Sequence, residues 1–286
     1  MSGDKNNKVN FDVKSNLIKI IMSIHLFAKS FSTKHPNSKF TLSQILDDII
    51  YVLQTGIPWR KVRSKISHQT LWFHFNRFVK NNVFLKLYNL FRRQYITSSI
   101  MVEEQATLLI DSSIIYNKFG INKLGRNKFY KNKKCTKLSL LTDVNGIPLS
   151  IFLFKGNYHD NHVFQKHIKE ALVLLPKNKL TILGDKGYSS YQNYQFLDSL
   201  KIAHIIPPRK KTKIYDTYKY IKTEYVKRIK IENVFAHLKL MRRIESRYDK
   251  FLSSYKQFLY LGICFLINQT VVRIQVRSNQ GKYSDL

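Results

Sequence analysis

The sequence predicts a mixed α/β sheet flanked by helices and preceded by an all-helical region. Three observations carry this. Up to about residue 103, apolar residues recur at helical spacing. Beyond it, short runs rich in β-formers alternate with helical stretches. Finally, the turn signal Asp143-Val-Asn-Gly146 joins two such runs as a hairpin. The expected division is a helical region over 1–103, the sheet domain over 104–252, and a C-terminal helix and tail over 253–286.

Taken in order, Met1–Asn10 reads as a polar arm and Phe11–Phe31 as an amphipathic helix, stopped by Lys34–Ser38 with Pro36. Thr41-Leu-Ser-Gln44 fits a capping box, opening a helix through Leu53 that Gly56 can end. Pro58 suits the first turn of a short helix, Pro58–Val62. Ser67 can cap His68–Lys80, whose expected buried stripe is Leu71, Trp72, Phe75 and Phe78. Its free face offers Gln69, Thr70, His74 and Arg77. Residues 41–80 therefore resemble a helix-turn-helix, with His74 and Arg77 as candidate DNA contacts, although a plain helical bundle reads the same way. A further helix, Val83–Tyr95, carries Arg92 and Arg93.

In the second region, the apolar run Ala106–Ile110 ends at Asp111. Thr136–Thr142 and Pro148–Phe154 are the hairpin strands, and Asn161–Leu174 is a helix. Leu180–Leu183 is a short buried strand ending in Gly184-Asp-Lys-Gly-Tyr188. Tyr191–Leu200 is helical, Ile202–Ile206 is the last strand, and the basic loop Arg209–Lys213 leads to a helix over Tyr225–Lys239. Three antiparallel strands, a helix, a strand, a helix, a strand and a closing helix make a ribonuclease H-like order.

Composition narrows the partners. With 44% hydrophobic residues the 286-residue chain can bury a real core, so it is not a disordered polycation. Its 49 Lys and Arg against 18 Asp and Glu leave a charge of +31, spread along the whole length. A folded chain carries such self-repulsion most easily beside a polyanion, and nucleic acid leads. An anionic membrane is the weaker choice, because the longest uncharged apolar run, Phe258–Ile267, is half of what a spanning helix needs. No signal peptide is apparent, and Cys135 and Cys264 are too few for a disulfide framework, which suits a reducing compartment. The expected location is the cytoplasm, at the nucleoid.

The chemistry-bearing residues are three acids. Asp111 and Asp185 each follow a buried strand, where open α/β sheets place their ligands. Glu232 sits on the closing helix, sharing a face with Tyr225, Arg228, Phe235 and Lys239 by their spacing of three and four residues. Alone, Arg228 and Glu232 read as a surface i,i+4 pair, and each aspartate as a turn former. Together, three carboxylates repel unless a cation sits among them, and Mg²⁺ prefers oxygen ligands. Two such ions can serve phosphoryl transfer. Asp143 reads as a turn residue, Asp160 as a helix cap or supporting group, and His159 as a capping or surface histidine.

These pieces resemble the DDE transposases of bacterial insertion sequences, cut-and-paste enzymes with a ribonuclease H-like core. The matching residues are Asp111-Ser-Ser, Leu141-Thr-Asp-Val-Asn-Gly-Ile-Pro148, Gly156-Asn-Tyr-His-Asp160 and Gly184-Asp-Lys-Gly-Tyr188. The Y-x2-R-x3-E-x6-K signature falls on Tyr225, Arg228, Glu232 and Lys239, followed by Arg242-Arg-Ile-Glu-Ser-Arg-Tyr-Asp-Lys250. Tyr51–Arg60 resembles the family's N-terminal domain. The first motif has Ser113 where the family more often has threonine. By this resemblance Asp111, Asp185 and Glu232 are the catalytic, metal-binding triad for Mg²⁺ or Mn²⁺, two ions being expected. Arg228 and Lys239 would meet DNA phosphates, with Tyr225 beside them. The implied partners are double-stranded DNA, as element ends and as target, and a second copy of the chain when bound to DNA. A metal-dependent nuclease of the same fold and a catalytically inactive DNA-binding derivative are the alternatives.

Overall fold

The computed structural model describes residues 39–98, 106–176, 180–209 and 222–281. The polar arm Met1–Asn10, the Phe11–Phe31 helix and its Lys34–Ser38 stop lie outside the described residues, as does all but Arg209 of the Arg209–Lys213 loop. The longer helices are α1 (Leu42–Thr55), α2 (His68–Lys80), α3 (Val83–Thr97), α4 (Asn161–Leu172), α5 (Tyr191–Ser199), α6 (Ile229–Leu240) and α7 (Leu252–Gly281). The strands that matter below are β1 (Ala106–Asn117), β2 (Gly125–Asn127), β3 (Lys133–Asp143), β4 (Pro148–Lys155), β5 (Leu180–Gly184) and β6 (Ala203–Ile205).

The chain forms two compact units that do not follow its order. One takes residues up to Phe91, Lys118–Gly120 and the chain from Leu238 onward; the other takes Arg92–Asn117 and Ile121–His237. This differs from sequential blocks divided near 103 and 252. The reason is aromatic packing at long range: Phe258 of α7 stacks on Phe75 of α2 at 4.3 Å, and Tyr260 on Tyr88 of α3 at 5.6 Å.

In the helical unit, local signals act as expected. The Thr41 hydroxyl accepts from the Gln44 N–H while the Gln44 side chain accepts from the Thr41 N–H, closing the capping box of α1. Gly56 ends α1 in the left-handed region at φ 68°, where a side chain would be strained. Ser67 caps α2 by accepting from the Thr70 N–H. The expected Pro58–Val62 helix is a single 3₁₀ turn, Trp59–Lys61, so residues 41–80 hold two α-helices and that turn. One stripe residue departs. Leu71, Phe75 and Phe78 are buried, but Trp72 is 56% exposed, because it stands about 100° around the helix from Leu71. Helix α7 is also longer than the apolar run suggested. Its Leu252–Gln275 stretch is long and apolar enough to cross a membrane, yet more than half of its most apolar 18-residue window is buried within the protein.

The second unit holds the sheet. β3 pairs antiparallel with β1 on one edge and with β2 and β4 on the other, while β1 pairs parallel with β5 and β5 parallel with β6. The order β4–β3–β1–β5–β6 is the expected ribonuclease H-like one, and α4 packs on β3 and β4 while α5 packs on β6. The Asp143–Gly146 turn forms, with the Gly146 N–H donating to the Asp143 carbonyl at 3.1 Å. Asp143 does more than turn the chain: its buried carboxylate accepts from the Ile147 N–H and from the Tyr95 hydroxyl, tying the end of α3 to the hairpin. Burial raises its pKa, with the Tyr95 hydrogen bond opposing.

Candidate active site

Register places the first two acids. The parallel ladder between β1 and β5 ends at Ile110↔Gly184, so the next residues on the two strands are Asp111 and Asp185. Neighbouring strands run about 5 Å apart, so the two aspartates stand side by side at the same level of the sheet. Asp111 is not at a strand end, as its sequence context suggested. β1 continues to Asn117 because β3 pairs with it as far as Tyr116↔Cys135. Only the parallel partner stops there.

Asp185 caps a 3₁₀ turn, Lys186–Tyr188, by accepting from the Gly187 N–H at 2.6 Å. A Cβ on residue 187 would lie 2.6 Å from the same carboxylate oxygen, which explains the second glycine of Gly-Asp-Lys-Gly-Tyr. Asp111 accepts from the Ser112 N–H at 2.8 Å through one oxygen and from Arg228 Nη2 at 2.8 Å through the other. Arg228 in turn pairs with Glu232 at 3.2 Å through Nη1 and lies 5.9 Å from the centre of the Tyr225 ring. The guanidinium thus bridges a carboxylate 17% exposed and one 54% exposed.

The helix carrying this face is interrupted. Instead of one helix over Tyr225–Lys239, a turn at Lys222–Tyr225 and a 3₁₀ segment at Val226–Arg228 precede α6. The Tyr225, Arg228 and Glu232 contacts survive the break, since three- and four-residue spacing still meets across it. Lys239, near the end of α6, belongs to the other unit. Burial lowers its pKa, with Glu245 opposing.

The three acids do not close into one cluster. Among the described residues no group of three His, Cys, Asp or Glu side chains is gathered closely enough to hold a metal ion. The physical cause is Arg228, which holds Glu232 and supplies positive charge to Asp111. The two aspartates do fit a hard divalent cation by donor type. Burial raises the Asp111 pKa, Arg228 and the Ser112 N–H oppose, and Asp185 adds to the rise. A cation between the two would relieve both the burial and the repulsion. For Arg228, burial works against the cation, but Asp111, Tyr225 and Asp185 outweigh it and hold its pKa above the ordinary value.

A second ring of groups surrounds this pair. Asp160 makes no capping bond. It accepts instead from the Ser112 hydroxyl at 2.5 Å and from Lys137 at 2.9 Å. That fixes the residue beside Asp111, the supporting role considered above. His159 accepts from the Asn161 N–H and contacts Arg209, as a capping histidine does. Tyr188 is buried, and its phenol is pushed well above its ordinary range by burial and by Asp160, Asp111 and Asp185, with Ser139 opposing. Lys137 and Tyr188 had not been singled out by sequence reasoning. Tyr188 closes the Gly-Asp-Lys-Gly-Tyr motif, so a signal existed for it; Lys137 had none.

Behind β3 runs a hydrogen-bond chain. The Ser139 hydroxyl lies 3.3 Å from the Asp111 carbonyl and 2.9 Å from His167 Nε2; His167 Nδ1 meets Ser150 at 2.8 Å, and Ser150 donates to Glu170 at 2.5 Å. Burial depresses the His167 pKa to about 3, so the ring is neutral.

The candidate DNA contacts of α2 are half-buried. His74 has its pKa lowered by burial and then by Arg77, so it carries little charge, and Arg77 lies 5.9 Å from the centre of the Phe73 ring. In the Arg242–Lys250 motif, Arg243 pairs with Asp249 through two bonds of 2.9 and 3.2 Å, and Arg247 donates to the carbonyls of Asp249 and Lys250. All three residues are buried. These three residues serve the fold.

The model of the transposase DDE domain matches residues 103–267, more than half of the chain. The chain belongs to the DDE transposase family. A comparison with curated proteins gave no match. Among solved structures, the Mos1 strand transfer complex matches this DDE-family chain at 14% identity, covering 79% of it and 75% of the Mos1 chain, with a TM-score of 0.32. The catalytic domain of Mos1 mariner transposase matches at 15% identity over 65% and 88% of the two chains, with a TM-score of 0.26. A Mos1 paired-end complex with Mn matches at 12% identity over 82% and 78%, also at 0.26. The family assignment rests on the domain match alone.

Proposed function

We propose that this protein is the transposase of a bacterial insertion sequence, acting in the cytoplasm at the nucleoid. It binds the ends of its element as a dimer, cleaves DNA by metal-dependent hydrolysis and joins the freed 3′ hydroxyl to target DNA. The observation that supports this best is the register that sets Asp111 and Asp185 side by side, with Arg228 linking Asp111 to Glu232. Asp111, Asp185 and Glu232 would hold Mg²⁺ or Mn²⁺, a pair of ions that supplies the positive charge needed for in-line phosphoryl transfer.

The chain's own residues do the positioning. Glu232 joins the aspartates by leaving Arg228, which its exposure allows at little cost. Arg228 then offers its guanidinium to a phosphate, a planar fork suited to two oxygens. Tyr225, stacked by it, limits the directions that guanidinium can take. Lys239 adds a point charge for the DNA backbone, and the overall charge of +31 binds phosphates without reading sequence.

Asp185→Asn tests this, because it keeps shape and removes a negative ligand. With DNA carrying the element's ends, cleavage and joining should vanish while gel-shift affinity stays equal or rises, since repulsion of the phosphates falls. Undiminished nicking would remove Asp185 from the active site. Nicking by the unaltered protein without any joining would make it a nuclease instead.

A further inference from the structure

The helical unit contains a cavity of about 730 Å³ whose wall includes Trp59, His68, Trp72, Phe73, Phe119 and Tyr248. Three of these rings stand unusually open: Trp72 is 56% exposed, Phe73 55% and Phe119 67%. Large apolar rings on a folded surface cost free energy unless something covers them, and contiguous ones mark a binding site. The volume lies in the range of pockets that enclose small ligands. Arg243 also lines the cavity, but its charge is spent on Asp249 and its guanidinium rests 5.5 Å from the centre of the Tyr248 ring.

The occupant's chemistry follows from the rim. Arg60, Lys61, Arg63 and Lys65 are all exposed, four cations in six positions, and none makes an ion pair among the described residues. Arg60 itself reaches the cavity wall. A ligand with a flat apolar body and attached negative charge matches both parts. A second copy of the chain would bring another +31 against this basic rim, so self-association is the poorer match.

We propose that this cavity takes an unpaired nucleobase of a DNA strand, stacked on Trp72 and Phe73, while the Arg60–Lys65 loop holds the flanking phosphates. Every base has a π-face, so such stacking tolerates any sequence. The idea rests on the DNA-binding reading above and adds to it a requirement for an unstacked base.

The chain has two tryptophans, and both Trp59 and Trp72 line the cavity, so its intrinsic emission reports on occupancy. The full-length protein would be titrated with an oligothymidylate, with an abasic strand of the same length, and with a blunt duplex. Oligothymidylate should quench the emission and bind at least about tenfold more tightly than the abasic strand. Trp72→Ala should remove that advantage and leave abasic-strand affinity unchanged; its exposure makes misfolding a small risk, and Phe73→Ala is the second variant. Equal affinity for both strands with no quenching would overturn the base site while leaving DNA binding intact. Failure to bind any of the three would overturn the DNA reading beneath it. An emission change on raising protein concentration without DNA would assign the cavity to a second copy and overturn the proposal.

Discussion

Two arginine–aspartate pairs in this chain look alike in sequence and behave differently in the fold. Arg243 and Asp249 are six residues apart, joined by two hydrogen bonds, and each side chain is 6% exposed. Arg228 and Asp111 are 117 residues apart, joined by one bond, and sit at 19% and 17% exposure. The first pair is closed: Arg247 adds its charge beside Asp249. The second is unfinished. Asp185 stands next to Asp111 with a like charge, Glu232 competes for the same guanidinium, and Arg228 Nε is buried with no hydrogen-bond partner among the described residues. A closed ion pair fixes a fold, whereas one with spare, repelling partners can trade them for a metal or a phosphate.

The largest effect should come from breaking the closed pair. Asp249→Ala leaves a buried guanidinium uncompensated and should cost about 3–5 kcal/mol of folding free energy. Denaturant melts would read this, and adding Mg²⁺ should recover none of it. A loss below about 1 kcal/mol would mean that the two pairs do not differ as described.

Arg228→Ala should cost less, about 1–3 kcal/mol, because the site is partly solvated. Here Mg²⁺ should restore stability, since a cation bound by the folded state and not the unfolded one adds RT ln(1 + [L]/Kd). Cleavage should remain impaired after that rescue if Arg228 also positions phosphate. Identical metal responses for Arg228→Ala and Asp249→Ala would erase the distinction between the pairs.

A neutral buried group gives the most graded effect. His167 has its pKa depressed from an ordinary 6.5 to about 3. Between those values the unfolded chain takes up a proton that the fold refuses, so stability is lost as pH falls from about 6.5 toward 3. The expected slope is roughly 1.4 kcal/mol per pH unit. Melts of the unaltered protein and of His167→Gln across this window should diverge by that slope. Parallel curves would mean that the histidine titrates normally, and that burial does not hold it neutral.

Legibility followed the range of each interaction. The Thr41 capping box, the Gly56 stop, the Ser67 cap and the Asp143–Gly146 turn were readable because their partners lie within a few residues. Aspartates as neighbours were readable from the strand order, and the Arg228–Glu232 contact from helical spacing. Errors arose where a distant strand or ring decided the outcome. Asp111 read as a strand end because its polar neighbours look like a turn, but β3 continues to pair beyond it. Trp72 read as core because apolar residues on a helix default to burial. Asp160 read as a helix cap or a supporting group, and the Ser112 hydroxyl and Lys137, both distant in sequence, decide for the second. The Arg242–Lys250 run carried no role in the sequence, and burial of Arg243, Arg247 and Asp249 shows that these three serve the fold.

The sequence by itself determined the elements, their order and the basic character that calls for a polyanion, since caps, turns, periodicity and charge are local or additive quantities. Tertiary structure decided which charges are spent and which remain available. That depends on burial and on partners brought from more than a hundred residues away, as with Arg228 and Asp111. It also decided that α7 joins the N-terminal helices in one unit, because the complementary faces of Phe75 and Phe258 exist only once both helices are folded.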